Sequence, residues 1–358
     1  MNKILSLLTS KPSGASSRPI DRVMDTLRPA ATPVRPALMR LGIGGFSAVH
    51  QFGRREMIHK LHRQDAPRFA PIGVVRILRK PLPPKIADGL FTAAQVTNAL
   101  TTLGIAHRVT GPFNAALQLW TMTYRNSWGM IFHNDNGLVL HQAVLGLSRS
   151  ADALSVDALV KFARSRAAQN RLGSQTRASS QPRPSSETRA RIQPIPSIRP
   201  QPSTTLATLW KALAPERFDR HYGGIPTAMN IGTMAIYFIS GIAKIRSPKG
   251  WGWASGDTLR EQIASDAIRK EVFGSVAPKA AGALYNSKGQ FGVLAIVTLI
   301  VELGAPLSLV NRRVGQLFAL SAWAMHVGIR IVMGIKFKYN VSGVSYLPYF
   351  PVGRELAA

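Results

Sequence analysis

The sequence predicts an all-α fold: a polytopic membrane helix bundle of about six to seven transmembrane helices, interrupted by a disordered basic linker. Three observations lead there. Several segments combine low charge with the length of a membrane span, roughly 20 residues. Within them Gly, Ala, Ser and Thr recur, the small residues that let helices approach closely in lipid. Between them run basic loops, as on the cytoplasmic flanks of membrane proteins. The chain has 358 residues and carries 45 Lys and Arg against 17 Asp and Glu, a net charge of +28. A uniformly basic soluble chain would suggest nucleic acid, and the apolar blocks argue against that partner. The sequence has no cysteine, which excludes disulfides, thiolate metal sites and cysteine nucleophiles.

In chain order, residues 1–34 read as a basic flexible N-terminal tail. Its apolar core, Ile4 to Leu8, is shorter than the roughly 7–15 residues of a secretory signal. Asp21 and Asp25 separate it from an acid-poor transit peptide. The first membrane-helix half, 35–160, holds a short segment at 37–53 that carries Arg40, a helix at 86–106, and a pair at 110–124 and 130–148. Asp152 and Ser155 give helix-start signals for an amphipathic segment running to about Ala163.

Residues 161–206 are rich in Arg, Ser, Gln and Pro. Such a segment cannot bury enough apolar surface to offset its ordering entropy, so it is predicted disordered. It is a solvated linker, or an arm whose arginines meet anionic lipid or RNA phosphates. The second membrane-helix half, 207–350, holds the clearest spans, at 226–244, 291–310 and 314–335, and 351–358 is a C-terminal tail. With the linker on the cytoplasmic side, alternate crossing puts the N-terminus and the 311–313 turn inside and the 245–290 loop outside. The very basic stretch 54–85 then also falls outside: either it violates the usual charge bias, or the first helix does not cross.

Ionisable residues inside such spans are functional candidates. Glu302 interrupts an apolar run, and His326 and Arg330 lie four apart on one face of the last helix. The expected pairing is Glu302 with Arg330 or His326, as a structural clamp or as part of a proton-handling or substrate site. His133, Asn134, Asp135 and Asn136 form the densest polar cluster, with His141 two turns on. A metal site would recruit His133, Asp135 and His141. Neighbours on one turn point in different directions, however, so no metal is expected, and caps and interhelical hydrogen bonds are. Lys244 ends a span in YFISGIAKIRSPKGWGWASG (237–256). Its ammonium either reaches the headgroups, with Trp251 and Trp253 in an aromatic belt, or is desolvated until the amine acts as a base.

Five stretches, in order, carry a family resemblance: NSWGMIFHNDNGLVLH with SADALSVDA (126–157), YFISGIAKI (237–245), W-x-x-G-D-T-L (253–259), VELGAPLSL (301–309), and His326 followed by IKFKYN. Together they resemble the HTTM (horizontally transferred transmembrane) domain family, related to the membrane part of the vitamin K-dependent gamma-carboxylase. The likeness runs from about residue 35 to 350 apart from the linker. It implies that Lys244 is the catalytic amine, the base that deprotonates vitamin K hydroquinone, and that the cofactor is a reduced quinone. The resulting chemistry would drive glutamate carboxylation. The carboxylase carries a large soluble region after its helices, whereas this chain stops at Ala358, so protein-glutamate carboxylation is not expected.

The functional expectation is therefore a multi-pass protein of the cell membrane, HTTM-like, with an embedded site for a lipid-like or quinone-like ligand. The alternative is a non-enzymatic membrane accessory subunit for a membrane or exported partner protein, as some bacterial members of the family are.

Overall fold

The computed structural model describes residues 27–129, 134–179, 206–276, 278–285 and 287–353. Among them every regular element is helical, and the only extended pairing is the single bridge between Ala31 and Asp219. The first half comprises α1 (Val34–Phe52), α2 (Arg55–Leu61), α3 (Pro84–Leu103), α4 (His107–Asn126), α5 (Asn134–Gly146) and α6 (Val156–Ser179). The second comprises α7 (Leu206–Leu213), α8 (Arg220–Ile245), α9 (Asp257–Val272), α10 (Lys279–Tyr285), α11 (Lys288–Leu303), α12 (Arg312–Met333) and α13 (Lys338–Val341).

Helix ends follow local chemistry. Pro84 opens α3, where a missing N–H is no loss. Gly104 closes it at φ 66, a left-handed position that costs glycine little. The carbonyls left at that end of α3 meet Arg40, the charge within the short 37–53 segment. Its guanidinium is buried and donates to Thr101 O at 3.2 Å and to Thr102 O. It also donates to Ser150 O at 3.1 Å, Ala153 O at 3.2 Å and Leu154 O at 2.8 Å. A cation is favoured there because the C-terminal end of a helix carries partial negative charge. Asp157 in turn accepts from the first amides of α4, Ala106 N and His107 N, each at 2.8 Å.

The halves are stitched together. Ala31 and Asp219 exchange backbone hydrogen bonds at 3.2 and 3.0 Å. The Tyr222 hydroxyl donates to Asp152 at 2.7 Å, so Asp152 ties the halves together, while Ser155 accepts from Ala158 N at 3.0 Å and starts α6 as expected. Met39, Ile43 and Leu138 of the first half share one buried cluster with Tyr222, Met229 and Tyr339 of the second.

Three expectations change. Among the described residues two helices, α8 and α12, are long and apolar enough to cross a membrane, and α10 with α11 adds a third if that pair, bent by 109°, is one span. That is fewer than the six or seven expected: α5 has only 13 residues, and the apolar character of the continuous helices α3 and α4 is interrupted by the buried polar residues Asn98, Asn114, Gln118 and Arg125. Helix α6 runs to Ser179, through residues expected to be disordered. Its Ala, Arg, Gln and Leu residues are good helix formers. Residues 180–205 and 1–26 lie outside the described residues, whereas the end of the expected N-terminal tail is packed, with Ala31 and Thr32 buried.

Candidate functional site

Helices α8, α11 and α12 surround a cavity of about 1120 Å³. Leu259 and Ile263 of α9 contribute to its wall, as do Tyr339 and Asn340 of α13 and His141 of α5. Most of the wall is apolar. The polar groups of α8 in it are Thr233, Tyr237, Ser240 and Lys244, spaced four, three and four apart and hence on one helix face. At 1.5 Å per residue this stripe is roughly 16 Å long.

Lys244 sits at one end of the stripe. Its Nζ donates to both carboxylate oxygens of Glu302, at 2.5 and 2.6 Å. The Lys244 side chain is 21% exposed and that of Glu302 is 7% exposed. The close approach of α8 and α11 depends on Gly241, where a Cβ would lie 3.0 Å from both Glu302 Cβ and Leu303 Cδ2. Trp253 completes this corner, with its ring 5.4 Å from Nζ. Lys244 is thus turned into the cavity wall, and Trp253 faces it, while Trp251 is exposed. The expected pairing of Glu302 with Arg330 or His326 is corrected. Arg330 is exposed and takes part in no ion pair among the described residues. His326 instead meets Tyr237, seven residues before Lys244 on α8.

At this contact His326 Nε2 lies 2.8 Å from the Tyr237 hydroxyl. Tyr237 and Tyr346 share a hydroxyl–hydroxyl bond of 2.5 Å, and Asn340 Nδ2 donates to both, at 3.3 and 3.2 Å. His326 Nδ1 is buried without a hydrogen-bond partner. Beyond Tyr237, His141 is wholly buried: Nδ1 lies 2.7 Å from the Tyr339 hydroxyl, and Nε2 is 2.9 Å from Thr233 Oγ1 and 3.2 Å from Met229 O.

Asp135 belongs elsewhere. Its carboxylate, 1% exposed, is held in the first half by His50 at 3.3 Å and by Arg54 and Arg125, each at 2.7 Å. Among the described residues the partners of Asp135 are thus His50, Arg54 and Arg125, not Glu302, His326 or Arg330, the other candidates for a polar site. His133 falls outside the described residues. Among the described residues no three His, Cys, Asp or Glu side chains are arranged to hold a metal ion. Sequence reading missed Tyr237, Tyr346, Asn340 and Tyr339 as site residues. The signal that could have found Tyr237 is its spacing of seven from Lys244, two helical turns on one face.

Helix α9 is fastened over its end of the cavity. Asp266 is buried, which opposes its ionisation, but Lys270 at 2.6 Å and Arg269 at 2.7 Å hold its carboxyl below the usual carboxylate range. Lys270 also donates to Met333 O, the last residue of α12.

Among the described residues the fold is helical, with two or three helices apolar enough to cross a membrane and a large, mostly apolar cavity. No protein family, curated protein or solved structure matches this chain.

Proposed function

We propose that the chain is a multi-pass protein of the cell membrane, HTTM-like, whose cavity binds a lipid-like or quinone-like ligand beside Lys244. The cavity carries the reading. Ligand sites are typically apolar clefts of roughly 300–1,000 Å³ with a few polar groups that fix orientation, and this one has the volume for a ring and part of a chain. Leu294, Val297 and Ile300 of α11 both line the cavity and are exposed, so its wall opens on the apolar outside. Only 28% of the most apolar window of α8 and 17% of that of α12 is buried. Apolar surface of that extent calls for a cover, and a bilayer supplies both the cover and a route for a lipid-borne ligand.

A reduced quinone fits the donor set. It would supply an acidic ring hydroxyl, for which Lys244 offers an N–H donor and Glu302 a carboxylate acceptor. Tyr237, with His326 and Asn340 behind it, offers a second hydroxyl to a polar group farther along the stripe. The test is binding of a short-chain naphthoquinone, kept in its reduced form with dithionite, to the purified protein in detergent. Saturable binding is expected, weakened at least tenfold in Lys244→Ala and in Lys244→Ala with Glu302→Gln, with helicity retained in both. Equal binding by all three proteins would remove the lysine from the site.

The accessory-subunit reading has its own supporting observation. Ile268, Val272, Phe273 and Val276, the last 91% exposed, form an apolar corner between α9 and α10. On that reading activity tolerates Lys244→Ala, and Phe273→Ser releases the partner protein.

A further inference from the structure

The very basic stretch between α1 and α3 has a use that neither the cavity nor the linker explains. Residues 54–85 contain nine Lys and Arg against two Asp and Glu. The segment is not a loose loop. Val75 and Ala87 are buried with Tyr124 and Trp128, and Leu61, Phe69, Leu78 and Leu82 pack against them. Ala70 N donates to Ser127 O at 2.7 Å, Ile72 N to Ser127 Oγ at 3.1 Å, and Leu82 N to the Tyr124 hydroxyl at 3.0 Å. These ties hold the segment across the end of the bundle where α1 and α4 finish and α3 begins.

Its charges divide into two sets. Arg54 is held by Asp135, Arg63 by Asp88, Lys60 by Glu56 at 2.9 Å, and Arg68 lies 4.0 Å from Asp65. Among the described residues, Arg55, Arg76, Arg79, Lys80 and Lys85 are exposed and make no ion pair with an acid. Exposed apolar side chains stand between them: Phe52, under the Arg55 guanidinium at 4.1 Å, then Val74, Ile77 and Ile86. Ile77 is 77% exposed although its neighbour Val75 is wholly buried. Cations alternating with projecting apolar groups, fixed on a rigid segment, are the pattern of a surface that enters the headgroup layer. The apolar part continues into the exposed face of α1 at Val49 and of α3 at Val96.

We propose that residues 52–86 form a collar that binds the anionic phospholipid headgroups of the bilayer in which the protein sits, with Arg76, Arg79 and Lys80 as its main phosphate contacts. This rests on the membrane reading and is independent of any ligand in the cavity. Anionic lipid is favoured over nucleic acid because the exposed apolar neighbours of Arg76, Arg79 and Lys80 are the aliphatic Val74 and Ile77 rather than stacking rings.

The test places the full chain in nanodiscs of phosphatidylcholine alone or mixed with phosphatidylglycerol and measures the unfolding midpoint. Phosphatidylglycerol is expected to raise it for the wild type. The combined Arg76→Gln, Arg79→Gln, Lys80→Gln variant should lose that rise, with its midpoint in pure phosphatidylcholine unchanged. Its apparent affinity for the anionic lipid should fall at least about tenfold. Arg76→Lys with Arg79→Lys should keep the rise, which separates charge from folding. The proposal is overturned if the triple variant keeps the full rise. It is equally overturned if substitution of Arg164, Arg166 and Arg171 abolishes the rise instead, or if the collar binds a single-stranded oligonucleotide while showing no lipid effect. A collar that fails here with quinone binding intact leaves the cavity reading standing.

Discussion

Lys244 and Glu302 show what a single pair decides. Each was visible in the sequence as an ionisable residue in an apolar run, but their partnership was not, because 58 positions separate them. Partners across a bundle are set by how helices rotate and stagger, which one-dimensional spacing does not encode. Removing one member of such a pair leaves a mostly buried charge alone, so Lys244→Ala is expected to destabilise the protein by about 3 kcal/mol. Lys244→Met with Glu302→Leu should recover most of that loss. Denaturant unfolding of the wild type and these two variants in detergent checks both expectations. Asp266 makes a pH prediction. Its folded pKa lies below the ordinary value, so its contribution is present above the unfolded carboxylate pKa and is lost as pH falls through the folded value. Acidification should therefore loosen α9, and Asp266→Asn should do the same at neutral pH. Faster amide exchange over Asp257–Val272 is the readout in both cases.

At the level of elements, close approach matters more than hydropathy. A Cβ on Gly111 would lie 2.2 Å from Gly146 O, and one on Gly146 would lie 2.5 Å from Gly111 O, so α4 and α5 meet backbone to backbone. Gly111→Ala is expected to destabilise the protein by about 2 kcal/mol. Gly45, inside α1 with open space around its Cβ position, gives the opposite sign: Gly45→Ala should stabilise by about 0.5–1 kcal/mol. Thermal unfolding of the two variants side by side tests the contrast. The small residues dotted through the apolar segments were legible as packing signals. Which of them face a neighbour was not, since that depends on the partner helix.

The whole molecule is two halves with one seam. Tyr222 to Asp152, Ala31 to Asp219, and His141 to Thr233 and Tyr339 all cross it. Expressing the two halves as separate chains, divided within 180–205, should therefore give fragments that co-purify. Tyr222→Phe with Asp152→Ala should weaken that association. Co-elution in size-exclusion chromatography is the measurement. The same seam explains why Asp135 and the lysine corner part company, with Asp135 held by first-half residues and Lys244 and Glu302 both in the second half.

By itself the sequence determined that the protein is helical, basic and rich in apolar segments. It also determined that its halves are joined by an Arg- and Pro-rich stretch and that Lys244 and Glu302 are costly residues needing a reason. Composition and periodicity carry that information because burial and helix geometry act residue by residue. Only the tertiary structure decided that Glu302 meets Lys244, that Tyr237, Tyr346 and His326 gather behind them, and that the 54–85 segment is a packed collar. Those outcomes depend on which faces of distant helices touch, and that is fixed by the simultaneous packing of the whole chain.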